Sequence, residues 1–255
     1  MCYDSKAQPP IPVGEPTATR DEDLVLTAAD GTQFAAYRAA PQTTPTAGIV
    51  ILPDVRGLHQ FYKDLAVRFA EQGVAAVALD YFGRSAGLTA RNDDFEYRPH
   101  VMQLTFDAIQ EDVAAALASL TEAAPGVPTF TVGFCMGGSL SYLMGTRDLP
   151  LTGVIGFYAG LSRDFAGAGT LMDRASDVHL PSLGLFGGAD AHISADQVEA
   201  FDKALDSTGV PHEIVSYEGA PHSFFDHQAA EYATASADAW TRMLGFIASH
   251  APAAA

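Results

Sequence analysis

Residues 128–149 read PTFTVGFCMGGSLSYLMGTRDL. Residues 129–133 are short, β-branched and aromatic, the composition of a buried strand. Gly133-Phe134-Cys135-Met136-Gly137 follows with the G-x-nucleophile-x-G spacing of a sharp strand-to-helix turn, with cysteine where serine is commoner. Residues 138–145 then read as an apolar helix. A residue at the apex of such a turn sits in a strained backbone conformation that lifts its side chain off the sheet edge. Side chains two positions before and after it would collide with the turn, so glycine is required at 133 and 137. A helix N-terminus behind the sulfur favours thiolate, the reactive form of cysteine. A buried structural cysteine between packing glycines is the plainer alternative; the flanking strand and helix weigh against it.

Working outward, AGIVIL (47–52) and VAAVAL (74–79) are continuous apolar runs, the kind buried on both faces of a parallel sheet. Between them residues 61–72 show helical spacing, with Phe61, Leu65, Ala66 and Phe69 on one side and Gly73 as the stop. Strand, helix, strand at these lengths is a βαβ unit. The spacing predicts a helix over 105–121 with Ile109, Val113, Ala116, Leu117 and Leu120 as its apolar stripe. Further strands are expected over 151–158, 181–186 and 213–217. Helices are expected over 194–207, with Ser194 as N-cap and Gln197 in the capping-box position, and over 229–250. Near the N-terminus, 24–27 and 34–38 flank the Asp30-Gly31 hairpin turn. Residues 89–102 are polar and irregular, and 159–178 are Gly-rich and a candidate to cap a site.

The chain's 255 residues suffice for one α/β domain with a substantial core. We read 1–22, with Pro9, Pro10, Pro12 and Pro16, as an extended arm, 23–250 as the domain and 251–255 as a frayed tail. Hydrophobic residues make up 48% against 18% charged, the balance of a packed globular protein. A formal charge of −17 argues against binding nucleic acid or an anionic membrane through a general field. Cys2 and Cys135 make no disulfide framework. No signal-like segment or run of transmembrane length is read, and a catalytic thiol suits a reducing cytoplasm.

Cys135, Asp190 and His222 each fall in a loop immediately after an expected buried strand, where open α/β sheets carry their reacting groups. The residue types suit nucleophilic catalysis. His222 is the candidate general base for the thiol, and Asp190 the carboxylate that orients the imidazole. Singly, Asp190 could be a turn residue and His222 a surface histidine; three fitting types in the order nucleophile, acid, base make the stronger case.

From residue 23 onward the chain resembles the dienelactone hydrolase family. The matching stretches are ILPDVRGL (51–58), VAAVALDYFGRSAG (74–87), VGFCMGG (132–138), LGLFGGAD (183–190) and GAPHSFF (219–225). The resemblance implies a single α/β-hydrolase domain, a mostly parallel central sheet with helices on both faces, acting as a carboxylic ester hydrolase without metal or organic cofactor. It implies Cys135, Asp190 and His222 as the triad and an oxyanion hole from the N–H groups of Met136 and Val55. It also implies an acidic residue that contacts and modulates the resting thiol. Asp54 holds that place, one methylene shorter than the expected glutamate. Where dienelactone-cleaving members carry a carboxylate-binding arginine, Asp226 stands here. An acid there repels a carboxylate, so the reading points to ester or lactone hydrolysis with a substrate other than dienelactone. Arg56, Arg84, Arg98 and Phe224 are the candidate substrate-binding residues. The expected partner is a small-molecule ester or lactone, and the chain is read as a monomer or homodimer. Two other readings stand beside this one. A cysteine glutaminase would carry an acid two residues after its histidine, where Phe224 stands. A binding module on a hydrolase fold would usually show a broken triad.

Overall fold

The computed structural model of the chain describes residues 7–12, 14–226 and 228–251. Cys2 and the ends of the expected arm and tail lie outside them. The strands are β1 (Thr19–Thr27), β2 (Gln33–Pro41), β3 (Ala47–Leu52), β4 (Val74–Leu79), β5 (Thr129–Phe134), β6 (Gly153–Phe157), β7 (Ser182–Gly187) and β8 (His212–Tyr217). The helices are α1 (Gln60–Glu71), α2 (Gly83–Ala86), α3 (Arg98–Val101), α4 (Phe106–Ala123), α5 (Met136–Met144), α6 (Leu171–Arg174), α7 (Ala195–Asp206) and α8 (Ala233–His250).

The strands form one sheet in the order β1-β2-β4-β3-β5-β6-β7-β8. β1 and β2 run antiparallel to each other, and β2 runs antiparallel to β4; the remaining neighbours are parallel. Every residue of β3, β4, β6 and β7 is buried, as runs covered on both faces must be. β3 leads through α1 to β4 on one side, and β5 lies on its other side. The chain therefore reverses direction across the sheet beside β3, and the C-terminal ends of β3 and β5 flank the crevice this creates.

Helices cover both faces. Gly153 and Gly156, three apart on β6, face opposite ways: a Cβ on the first would meet the Phe246 ring of α8, and on the second the Tyr142 ring of α5. α1 shares the α8 face, with the Phe69 and Trp240 rings 5.0 Å apart. α7 shares the α5 face through Tyr142 and Phe201, 5.1 Å apart. The stripe expected on α4 is buried in full, and Ser194 and Gln197 close the capping box on α7 in both directions.

Several boundaries shift by a few residues, and three differences have a physical reason. β1 begins at Thr19, inside the expected arm, because an edge strand with both faces largely in solvent accepts the charged run Arg20–Asp23. α8 begins at Ala233, not 229; residues 228–232 form successive turns, and Tyr232 (φ −107°, ψ 42°) leaves helical geometry. The polar stretch 89–102 contains the short helix α3. The described part of the arm lies on the body: Trp240 Nε1 donates to the Pro10 carbonyl at 2.8 Å, and the Thr17 N–H to that of Glu71 at 2.9 Å.

Candidate active site

β5 ends in the turn that the glycine spacing anticipates. Cys135 has φ 55° and ψ −114° and caps the N-terminus of α5. A Cβ on Gly133 would overlap the Gly137 carbonyl, and one on Gly137 would overlap the carbonyls of Leu52 and Pro53. The turn is therefore closed by backbone against backbone, and the half-buried thiol stands at its apex. Among the described residues, the non-glycine residues with positive φ are Cys135, Tyr158 (36°) and Ser223 (63°). Tyr158 follows β6 and lies against His222, ring centroids 4.8 Å apart and planes tilted by 53°, and Ser223 follows His222. Backbone strain is thus concentrated around one place.

The loops after β7 and β8 bring the other two groups there. Their backbones interlock: the Gly188 N–H donates to the Tyr217 carbonyl at 2.7 Å and the Ala189 N–H to that of Ala220 at 2.9 Å. A Cβ on Gly187 would come within 2.5 Å of the Ala220 and Pro221 carbonyls. Held this way, Asp190 Oδ2 lies 2.7 Å from His222 Nδ1, while its Oδ1 accepts the His192 N–H at 2.8 Å. The Asp190 side chain is 1% exposed. Burial alone would raise its pKa, but the hydrogen bond and charge of His222 hold it below the usual carboxylate range. Burial pulls the His222 imidazole down. The hydrogen bond to Asp190, a second one to the Cys135 sulfur and the charges of both outweigh it, and push the imidazole up to about 10. Sulfur, imidazole and carboxylate form one hydrogen-bonded line, and both neighbours of the ring favour its charged form.

The loop after β3 faces this line. The Tyr81 hydroxyl donates to the Pro53 carbonyl at 2.8 Å, and the Asp54 N–H donates to Tyr62 Oη at 2.9 Å. The Arg56 N–H donates to Asp54 Oδ1 at 2.9 Å, the Gly57 N–H to the Asp54 carbonyl at 3.1 Å, and the Leu58 N–H to Asp80 Oδ1 at 3.1 Å. The Val55 N–H has no acceptor among the described residues. Met136 opens α5, where an N–H has no intrahelical acceptor. These are the two N–H groups expected of an oxyanion hole. Asp54 is fully buried and spends one oxygen on its own loop.

Cys135, His222 and Val55 line a cleft of about 1060 Å³. Its apolar wall includes Tyr97, Val101, Leu161, Phe165 and Ile193, and Arg98 and Arg163 stand among the lining residues. Of the candidate substrate residues, only Arg98 lines it. Arg56 is turned to Asp93, 2.9 Å away. Arg84 chelates the buried Asp112 with both contacts at 2.7 Å, and also pairs with Asp30. Phe224 is buried between Tyr158, Phe157 and Tyr217. Asp226 is corrected too: it is buried, accepts from the Tyr158 hydroxyl at 3.0 Å and is not among the lining residues. It does not confront a substrate carboxylate. Arg163 and His192, which do line the cleft, were missed; the Gly-rich stretch holding Arg163 was the available signal. Among the described residues no His, Cys, Asp and Glu cluster is arranged to hold a metal ion, and no helix is long and apolar enough to cross a membrane.

A model of the dienelactone hydrolase family matches residues 34–251. A Yersinia pestis protein provisionally named carboxymethylenebutenolidase is 28% identical over 232 residues, 86% of this chain and 85% of its own length. A Bradyrhizobium protein, provisionally named 2-oxo-3-(5-oxofuran-2-ylidene)propanoate lactonase, is 26% identical over 241 residues, 92% of this chain and 96% of its own. The fold is shared with a crystal structure from Klebsiella pneumoniae described provisionally as a dienelactone hydrolase. Its TM-score is 0.79 and its identity 24%, over 91% of this chain and 99% of that one.

Proposed function

The chain belongs to the dienelactone hydrolase family, and from that premise we propose that it hydrolyses a carboxylic ester or lactone through Cys135, His222 and Asp190. The observation that carries the reading is the line from sulfur to imidazole to carboxylate, ending at a thiol that faces a large cleft. The Cys135 thiolate attacks the carbonyl carbon and forms a C–S bond. The oxyanion is met by the N–H groups of Val55 and Met136. Collapse expels the alkoxide, which takes the proton from His222 and leaves a thioester. Acylation removes the sulfur's charge, one of the influences holding the imidazolium. The neutral ring is then the base that takes a proton from water. Hydroxide adds to the thioester, the thiolate leaves, and the proton is back on His222.

The substrate is proposed to carry an acidic group. Arg98 and Arg163 line the cleft, and neither forms an ion pair with a described residue, in a chain of net charge −17. A relative named for a propanoate lactone supports the same class. A thiol that must stay reduced suits a cytoplasmic enzyme. The test is Cys135→Ala with p-nitrophenyl esters: turnover should fall to the uncatalysed rate while the circular dichroism spectrum is kept. Retained turnover refutes the triad.

A further inference from the structure

The buried ion pair between Asp80, after β4, and Arg91 has no part in the chemistry above. Their side chains are 1% and 2% exposed. Asp80 accepts from Arg91 Nη2 at 2.8 Å and from Nε at 3.2 Å. It also accepts the N–H of Leu58 through Oδ1 and of Phe82 through Oδ2, each at 3.1 Å. Arg91 spends its remaining donors on Thr89 Oγ1 and on the carbonyls of Thr89 and Gly87, between 2.6 and 2.8 Å. A buried pair of this kind adds little net stability over apolar side chains of the same size. Stability alone therefore does not account for it.

What the pair does is join three segments. One is the loop after β3, whose Val55 N–H is left without an acceptor. The second is the turn after β4. The third is the stretch from Gly87, which runs on to the cleft residues Tyr97, Arg98 and Val101. The contact with the first is tight: Gly57 has φ +77°, and a Cβ there would overlap Asp80 Oδ1 and come within 3.0 Å of the Phe82 ring. The guanidinium lies 4.6 Å from the centroid of Phe95, which stacks on His100 at 5.1 Å. We propose that Asp80 is a positioning residue for the reaction. Its carboxylate, fixed by Arg91, sets where loop 53–58 lies and so where the Val55 N–H meets the oxyanion. This rests on the reading of Val55 as an oxyanion donor.

An oxyanion donor acts on the transition state of acyl transfer and not on the reactivity of the thiolate itself. Two readouts separate them. One is kcat and KM with a p-nitrophenyl ester. The other is the second-order rate of Cys135 with methyl methanethiosulfonate, which transfers a methylthio group to thiolate and has no carbonyl. Asp80→Asn is expected to lower kcat by ~10²-fold, the usual effect of a displaced donor. KM and the thiosulfonate rate should stay within about twofold, as for loss of an interaction made only in the transition state. Should Asp80→Asn fail to fold, Gly57→Ala pushes the same loop off the Asp80 carboxylate while keeping both charged side chains, and should give the same split. Unchanged kcat in a folded variant overturns the inference, as does a parallel fall in both rates, which would make Asp80 a support of the whole site. Retained ester turnover in Cys135→Ala overturns the underlying reading instead.

Discussion

The two walls of the cleft are built by different means. On the triad side, position is set by main chain against main chain. Gly133, Gly137 and Gly187 each leave room for a carbonyl where a methyl group would collide, and strained φ angles fall on Cys135 and Ser223. On the opposite side, position is set by side chains. Arg91 is clamped to Asp80, Arg56 to Asp93, and Phe95 lies against His100 with ring planes 16° apart. Cys135, Asp190 and His222 thus inherit the geometry of the sheet, which tolerates almost no change. The opposite wall depends on pairs behind it that can be exchanged one at a time. Loops on a rigid scaffold are where such exchange is cheap.

The contrast is broken most severely at Gly137. Gly137→Ala sets a methyl group against the Leu52 and Pro53 carbonyls, so either β3 and β5 separate or the elbow opens. We expect loss of the cooperative thermal transition or of all esterase activity, read by circular dichroism and turnover. Asp190→Asn comes next and should spare the fold. It removes the largest influence raising the His222 pKa, so the pKa falls from about 10 and the imidazolium is lost at lower pH. Turnover at pH 7 should drop by about 10²–10⁴, the upper figure being that of a serine triad without its carboxylate. The thiosulfonate rate should fall at pH 7 and recover above about pH 9, where an unassisted thiol of pKa about 8.5 ionises unaided. Recovery that never comes would place the defect in geometry and not in charge. The smallest effect belongs to an exposed cleft residue in the loop after β6. Arg163→Ala should raise KM about tenfold for an ester bearing a carboxylate and leave a neutral ester unchanged, at a stability cost within about 0.5 kcal/mol, as usual for exposed sites. Equal effects on both esters would remove the assignment of the acidic substrate group.

The same division decides how much could be read in advance. The parallel strands were legible because burial on both faces demands uninterrupted apolar runs. AGIVIL and VAAVAL fall where they were expected, to the residue. Cys135 and Asp190 follow buried strands as expected, whereas the strand before His222, β8, is a partly exposed edge strand and not the buried one expected. β1 was read too short because an edge strand imposes no apolar pattern on Arg20–Asp23. Arg56 and Arg84 were misplaced for another reason. Their partners Asp93 and Asp112 lie 37 and 28 residues away, and nothing local marks such a pair. Phe224 was assigned to the cleft from its neighbours in sequence. The positive φ at Ser223 turns the chain there, and Phe224 lies in the core.

Trp240 is the chain's single tryptophan. Its indole packs on Phe69 and Phe225 and bonds to the Pro10 carbonyl. Phe225 in turn lies 4.6 Å from Phe157 and 6.0 Å from Phe134, the residue before Cys135. The protein therefore carries its own optical probe, one indole joined by aromatic contact to the floor of the candidate site and by a hydrogen bond to the leading segment. Its emission registers any loosening at either end, without a label.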